Sequence, residues 1–129
     1  SETKPDIFYI EAGQTEVAYP VKLSISLKEK DEIPEIKSSP HYAFLDYDKL
    51  SFPLILRKWR KGDYFMPLGM KGLKKLSDFF VDRKYSRIEK ERVWVMASGE
   101  RIVWIIGDRP DDRFKIDNNT KRILEITLL

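Results

Sequence analysis

Cysteine is absent from this sequence, histidine occurs once, at position 41, and no apolar run approaches the roughly 18 residues that a membrane span requires. Each absence excludes a class of function. Without cysteine there are no disulfides, thiolate zinc sites or thiol nucleophiles, and a reducing, cytoplasmic setting is the natural expectation. With His41 as the only imidazole, neither a histidine-rich zinc cage nor a Ser-His-Asp arrangement can be assembled, and a surface loop position after Pro40 is expected for it. No membrane partner is expected, and Ser1 to Asp6 has no signal-peptide pattern. Opening on Ser instead of Met suits a piece cut from a longer protein.

What is present suits one small folded unit. A chain of 129 residues can bury roughly two thirds of its unfolded surface in one core. Hydrophobic residues at 42% beside charged residues at 35% argue against global disorder. The formal net charge of +3 conceals an uneven distribution. Residues 1–56 carry 6 basic and 10 acidic side chains, residues 57–92 carry 12 and 5, and residues 93–129 carry 6 and 6. The middle segment, at +7, creates a local field that attracts polyanions.

Period-two alternation marks Val21 to Leu27 as a strand with one wet face, and Ile7 to Glu11, Ala43 to Tyr47 and Leu54 to Arg57 read as further strands. Lys28 to Pro40 is a charged, proline-containing loop. Val93 to Ala97 and Arg101 to Ile106 flank Ser98-Gly99-Glu100, a tight hairpin connection, and Ile123 to Leu128 supplies a closing strand. Helical spacing is confined to the middle. From Lys74 to Lys84, Leu76, Phe79 and Phe80 share one stripe, with Asp78 and Asp82 opposite. Ser86 and Glu89 form a capping box for a second short helix over Arg87 to Arg92. The predicted fold is α+β: a small single domain with several strands in a mixed sheet or sandwich and one or two short helices.

Asp108, Asp111 and Asp112 are the one acidic cluster suited to magnesium, but Arg109 and Arg113 interleave with them, so a self-neutralised loop is the expectation. No metal site is assigned. Asn118-Asn119-Thr120 fits a glycosylation sequon and reads as a turn. Trp94, Trp104, Phe65, Phe79 and Phe80 are expected in the core, with Trp59 half-exposed between Lys58 and Arg60. The stretch Lys61 to Lys75 places Gly62, Gly69 and Gly72 before a helix start, a setting that favours phosphate, with Lys71, Lys74 and Lys75 adding charge. It lacks the spacing of a nucleotide-binding P-loop. Gly69-Met70-Lys71-Gly72 matches the clamp of a KH domain, although Gly62 and Pro67 break the helix such a domain needs upstream.

A series of motifs from about Phe44 to Phe114 resembles the C-terminal domain of bacterial tRNA(Ile)-lysidine synthases. The matching residues are Leu45-Asp46, Asp48-Lys49-Leu50, Arg57, Trp59-Arg60, Gly62-Asp63 and Pro67-Leu68-Gly69-Met70-Lys71-Gly72. They continue through Lys74-Lys75-Leu76-Ser77-Asp78-Phe79-Phe80, Asp82-Arg83-Lys84, Arg101-Ile102-Val103-Trp104 and Gly107. Ser86, Lys90-Glu91 and Trp94 depart from the pattern, in which Pro, Arg-Asp and Pro are common. The resemblance implies a small α+β module also seen in the β chain of phenylalanyl-tRNA synthetase. It further implies a parent ligase that uses ATP and magnesium to activate the wobble cytidine of an isoleucine tRNA for attack by lysine. That chemistry belongs to an N-terminal catalytic domain with a Ser-Gly-Gly-x-Asp-Ser loop, which this sequence does not contain, so no catalytic residue and no cofactor are expected here.

The implied role of this domain is to grip the tRNA at its acceptor stem. The candidate RNA-binding residues are Lys58, Arg60, Lys61, Lys71, Lys74, Lys75, Arg83, Lys84 and Arg87. For Arg83, which helical spacing puts beside Leu76 and Phe80, pairing with a carboxylate at the core edge is an equal alternative. Two other readings stand beside the first: a KH-like single-strand binder, and a protein-interaction module whose basic face meets an acidic partner or forms a homodimer.

Overall fold

The computed structural model describes residues 6–33 and 35–129, so Ser1 to Pro5 of the opening stretch and Pro34 of the charged loop lie outside the described residues. The strands before the basic segment are β1 (Ile7–Ile10), β2 (Glu16–Val17), β3 (Leu23–Glu29), β4 (Tyr42–Asp46) and β5 (Leu54–Lys58). Within the segment lie β6 (Tyr64–Phe65), β7 (Lys74–Lys75), α1 (Leu76–Asp82) and α2 (Arg87–Glu91). After it come β8 (Trp94–Ser98), β9 (Arg101–Ile105), β10 (Arg109–Pro110) and β11 (Arg122–Leu128).

A five-stranded sheet has the order β1-β5-β8-β9-β10, a four-stranded sheet the order β2-β3-β11-β4, and β6 and β7 form a ribbon. Every pairing among these strands is antiparallel, so the sandwich, not the mixed sheet, is the form the fold takes. Parallel neighbours need long crossovers within one sheet, whereas β5 and β8 are antiparallel neighbours and residues 59–93 form one excursion between them. The two short helices and the ribbon all belong to that excursion.

The inner faces of the two large sheets share a core in which Leu54, Leu56, Met96 and Trp104 meet Leu23, Ile25, Leu45, Leu124 and Ile126. The opposite face of the five-stranded sheet carries a second core, where Val95, Ile102 and Ile105 pack with Phe65, Leu76, Phe79 and Phe80. This sheet is therefore the middle of three layers, and β8 and β9 are apolar on both faces. A bulge opposite Met96 and Ala97 lets Val103 and Trp104, though consecutive, both enter the first core. The alternation expected for Val21 to Leu27 holds at Leu23 and Ile25 but fails at Leu27, which is 48% exposed. The two-residue β2 covers β3 only opposite Leu23 and Ser24, leaving its far end at the rim.

Trp104, Phe65, Phe79 and Phe80 are buried, as expected, whereas Trp94, expected with them, is only half-buried at the start of β8, where its ring meets Phe8 edge-on. The Ser98 to Arg101 connection is tight, with Gly99 at φ +59, and the His41 turn is exposed. Asn118 and Asn119 form a turn whose Thr120 is buried and hydrogen-bonds Asp46 through its hydroxyl at 2.8 Å.

Candidate nucleic-acid interface

The excursion opens with a turn built on one carboxylate. Asp63 accepts two hydrogen bonds from the Arg57 guanidinium at 2.9 and 3.0 Å, and a third from the Arg60 amide at 2.7 Å. Gly62 at φ +96 permits the turn, and Arg60 and Lys61 project from it, exposed. The Asp63 carbonyl then accepts the amide of Leu76, the first residue of α1.

Between β6 and β7 runs the glycine-containing loop of residues 66–73. Two aspartates, 45 and 43 residues further along the chain, hold it. Asp111, fully buried, accepts the Met66 amide at 2.8 Å, the Arg113 amide at 2.8 Å, and two bonds from the Arg113 guanidinium at 3.0 and 2.9 Å. Asp112 accepts the Gly69 amide at 3.0 Å, a bond that holds its carboxyl below the usual aspartate range, with help from the ammonium of Lys115. Leu68 donates to the Pro110 carbonyl, and Asp112 returns its own amide to Met66. The loop is thus rigidly mounted and presents Lys71 outward. The self-neutralised aspartate loop is found in part: Arg113 pairs with Asp111 and Lys115 with Asp112, but Asp108 takes Arg83 from the end of α1, and Arg109 has no carboxylate partner among the described residues. Sequence reasoning missed the aspartate loop's role as the mount.

The Gly69 to Gly72 stretch lies inside a β-ribbon connection and is led into by strand β6 where a KH domain has a helix, so the KH-like reading is corrected. The predicted helix start at Lys74 is corrected as well. Lys74 and Lys75 are extended and pair with Phe65 and Tyr64, and α1 begins only at Leu76. The helix proper holds no Lys or Arg; its exposed positions are Asp78, Val81 and Asp82. The cations therefore flank α1 at both ends, about 10 Å apart for a seven-residue helix.

The C-terminal end of α1 is closed by Lys84 at φ +58. The Lys84 amide bonds Val81 and the Tyr85 amide bonds Phe80, while the Tyr85 and Phe80 rings meet at 4.8 Å. This is the Schellman arrangement, with lysine where glycine is usual. Beyond it, Ser86 and Glu89 cap α2 reciprocally, as expected, and these bonds hold the Glu89 carboxyl low. Tyr85 donates to Asp108 at 2.5 Å, and burial together with that carboxylate pushes its phenol upward, so it stays a donor.

The nine candidate cations separate into groups. Arg60, Lys61, Lys71, Lys75 and Lys84 are exposed and have no carboxylate partner among the described residues. Arg87 makes only a surface pair with Glu91 at 3.6 Å and is 92% exposed, a contact worth little. The other three are engaged: Lys74 pairs with Asp82, Lys58 donates to the Glu91 carbonyl and lies 5.1 Å from the Trp94 ring, and Arg83 pairs with Asp108 at 2.9 Å. For Arg83 the core-edge carboxylate is the outcome. Trp59 is half-buried as expected, but its indole donates to the Lys90 carbonyl at 2.7 Å and its ring meets Phe80 edge-on. Tyr64, 49% exposed opposite Lys75, was missed; a two-residue strand gives too short an alternation to show which face is wet.

A family model described as the TilS substrate C-terminal domain matches residues 54–126. Among curated proteins, a tRNA(Ile)-lysidine synthase of Parabacteroides distasonis is 58% identical over 94 residues, 73% of this chain and 22% of that protein. One from Bacteroides thetaiotaomicron is 54% identical over 82 residues, 64% of this chain and 19% of that protein. One from Clostridium tetani is 32% identical over 127 residues, 98% of this chain and 27% of that protein. The chain spans about a fifth of the length of the first two. A crystal structure of a TilS C-terminal domain superposes with a TM-score of 0.77 over 95% of both chains, at 21% identity, which shows that the fold is shared.

Proposed function

The chain belongs to the TilS substrate C-terminal domain family, and from that premise we propose that it is the tRNA-gripping domain of a tRNA(Ile)-lysidine synthase. In this reading it holds the acceptor stem of an isoleucine tRNA in the cytoplasm, while an N-terminal catalytic domain of the same polypeptide acts at the wobble cytidine. The observation that carries it is the set of five exposed, unpartnered cations, Arg60, Lys61, Lys71, Lys75 and Lys84, mounted around a rigid loop and a helix end. An A-form stem hides its base edges in a deep groove and is read through phosphates, hydroxyls and shape. Spaced point charges on fixed backbone suit that surface. Asp78, exposed on α1 between the two groups, disfavours phosphate on the helix face and leaves it the two ends.

ATP and magnesium enter this reading only with the catalytic domain. Among the described residues there is no group of three or more Asp, Glu or His side chains placed to hold a metal ion.

Titration of the full-length synthase with tRNA at several salt concentrations tests the proposal. About four simultaneous phosphate contacts give a slope of log K against log salt near −3. Lys71→Ala with Lys75→Ala raises KM and leaves kcat at saturating tRNA nearly unchanged, because the contacts are equal in ground and transition states. Lys74→Ala, whose charge Asp82 already neutralises, has a smaller effect. Binding that is indifferent to salt and to both Lys71 and Lys75 removes the RNA-gripping role.

A further inference from the structure

Away from those five cations, the edges of the two large sheets leave a groove of about 670 Å³ between β4 and β10, bordered by residues 36–40. That volume lies within the roughly 300–1,000 Å³ typical of small-ligand sites. One wall is aromatic. Tyr42 and Phe44, alternate residues of β4, lie on the same outer face, with ring centroids 6.1 Å apart and planes 24° apart. Their neighbours across the ladder are Thr127 and Glu125, the polar residues expected on a wet face, so two partly exposed rings here are exceptional.

Two cations line the groove as well. Lys37 places its ammonium 5.0 Å from the Tyr42 ring, and the Arg109 guanidinium sits 5.7 Å from the Phe79 ring. Neither has a carboxylate partner among the described residues. The one acid in the groove, Asp108, is occupied by Arg83 and Tyr85, so its charge is balanced. Leu68 borders the groove as well, which joins it to the base of the loop that carries Lys71.

We propose that this groove takes an unpaired nucleotide of the bound RNA, with its base against Tyr42 and Phe44 and its phosphate met by Lys37 and Arg109. The inference rests on the tRNA-gripping reading and adds a single-stranded contact to it. Bases inside a duplex are stacked on one another and offer no free face, whereas aromatic rings beside cations are the usual platform for a single strand. A strand leaving a stem held at Lys71 therefore finds a second, chemically different site on the same domain.

The test compares a blunt RNA hairpin with the same hairpin carrying a single-stranded tail, each titrated against the chain. A stacked base is expected to tighten binding about tenfold. Tyr42→Leu with Phe44→Leu keeps apolar bulk and removes the ring faces; it should abolish the gain from the tail and leave blunt-hairpin affinity unchanged. An unchanged unfolding midpoint confirms that the variant is folded. Independently, 2-aminopurine in the tail should be quenched by the wild type, and a tail whose fluorescence is unaltered overturns the proposal. A tail that adds no affinity, or a gain that survives both substitutions, overturns it too while leaving duplex binding intact. Failure of both hairpins to bind would instead remove the RNA reading itself, and this inference with it.

Discussion

Lys84 combines two roles that one substitution can separate. Its φ of +58 closes α1 in a conformation that places an L side chain too close to the following carbonyl, and its exposed ammonium is one of the five unpartnered cations. For an L residue the left-handed conformation costs about 1–2 kcal/mol, whereas glycine adopts it freely. Glycine also gains freedom in the unfolded chain, which takes back about 0.5–1 kcal/mol. Lys84→Gly should therefore stabilise the domain by about 0.5–1 kcal/mol. With an unfolding entropy of about 2.1 cal/mol/K per residue over 129 residues, this raises Tm by roughly 2–4 °C. Lys84→Ala keeps the steric cost and should leave Tm nearly unchanged. Both variants lose the same charge, so both should weaken tRNA binding equally and make the salt slope shallower by about one unit. Thermal and denaturant unfolding of the three proteins, beside their salt-dependent titrations, measures the two effects separately. A glycine variant no more stable than wild type refutes the argument from backbone conformation, and one that binds tRNA like wild type removes Lys84 from the interface.

Removing Asp111 should be severe, because Asp111→Ala orphans the Met66 amide and leaves the Arg113 guanidinium without its buried partner; a loss of about 3–5 kcal/mol is expected in denaturant titration. Adding Arg113→Ala should cost less than the sum of the two single changes, and strict additivity would show that they do not act as a pair. Phe80→Ala empties a fully buried site between α1 and the five-stranded sheet and should cost about 3–5 kcal/mol; an unmoved midpoint would put the apolar stripe at the surface. Acid should loosen the loop mount. Asp112 has its folded pKa depressed by the Gly69 amide, so its contribution is present above the ordinary aspartate range and is lost as pH falls through the lower folded value. Stability measured at neutral pH and near pH 3 should fall on acidification, and Asp112→Asn should fall less; equal losses would place the acid sensitivity elsewhere.

Much of the fold was legible because it is encoded over a few residues. The seven principal strands were legible to within two residues: β3 through the alternation of wet and dry positions, and β8 and β9, apolar on both faces, through the short turn of Ser98-Gly99-Glu100 that they flank. The Ser86 and Glu89 capping box was readable because both partners lie within one turn of helix. The stripe of Leu76, Phe79 and Phe80 also held, and Lys84 was read as the helix end, but the left-handed backbone that makes it the closing residue was not foreseen. No local signal favours a positive φ at lysine; the closing contact of Tyr85 on Phe80 selects it. Of the nine cations singled out, five proved unpartnered, because a charge count cannot distinguish Lys75 from Lys74, whose neighbour Asp82 comes within reach only once α1 is formed.

By itself, then, the sequence determined the strand pattern, the short helices, the uneven charge and, through an ordered series of motifs, the family. Tertiary structure decided which charges are free. Asp108 neutralises Arg83 across 25 positions of chain, and Asp111 holds the Met66 amide across 45. It also decided that the five-stranded sheet is buried on both faces, and that β4 and β10 border one groove lined by both Tyr42 and Arg109, far apart in the chain. Local preferences act within about one turn or one strand pair, whereas these contacts form only when whole layers pack, and their identity depends on every element between them.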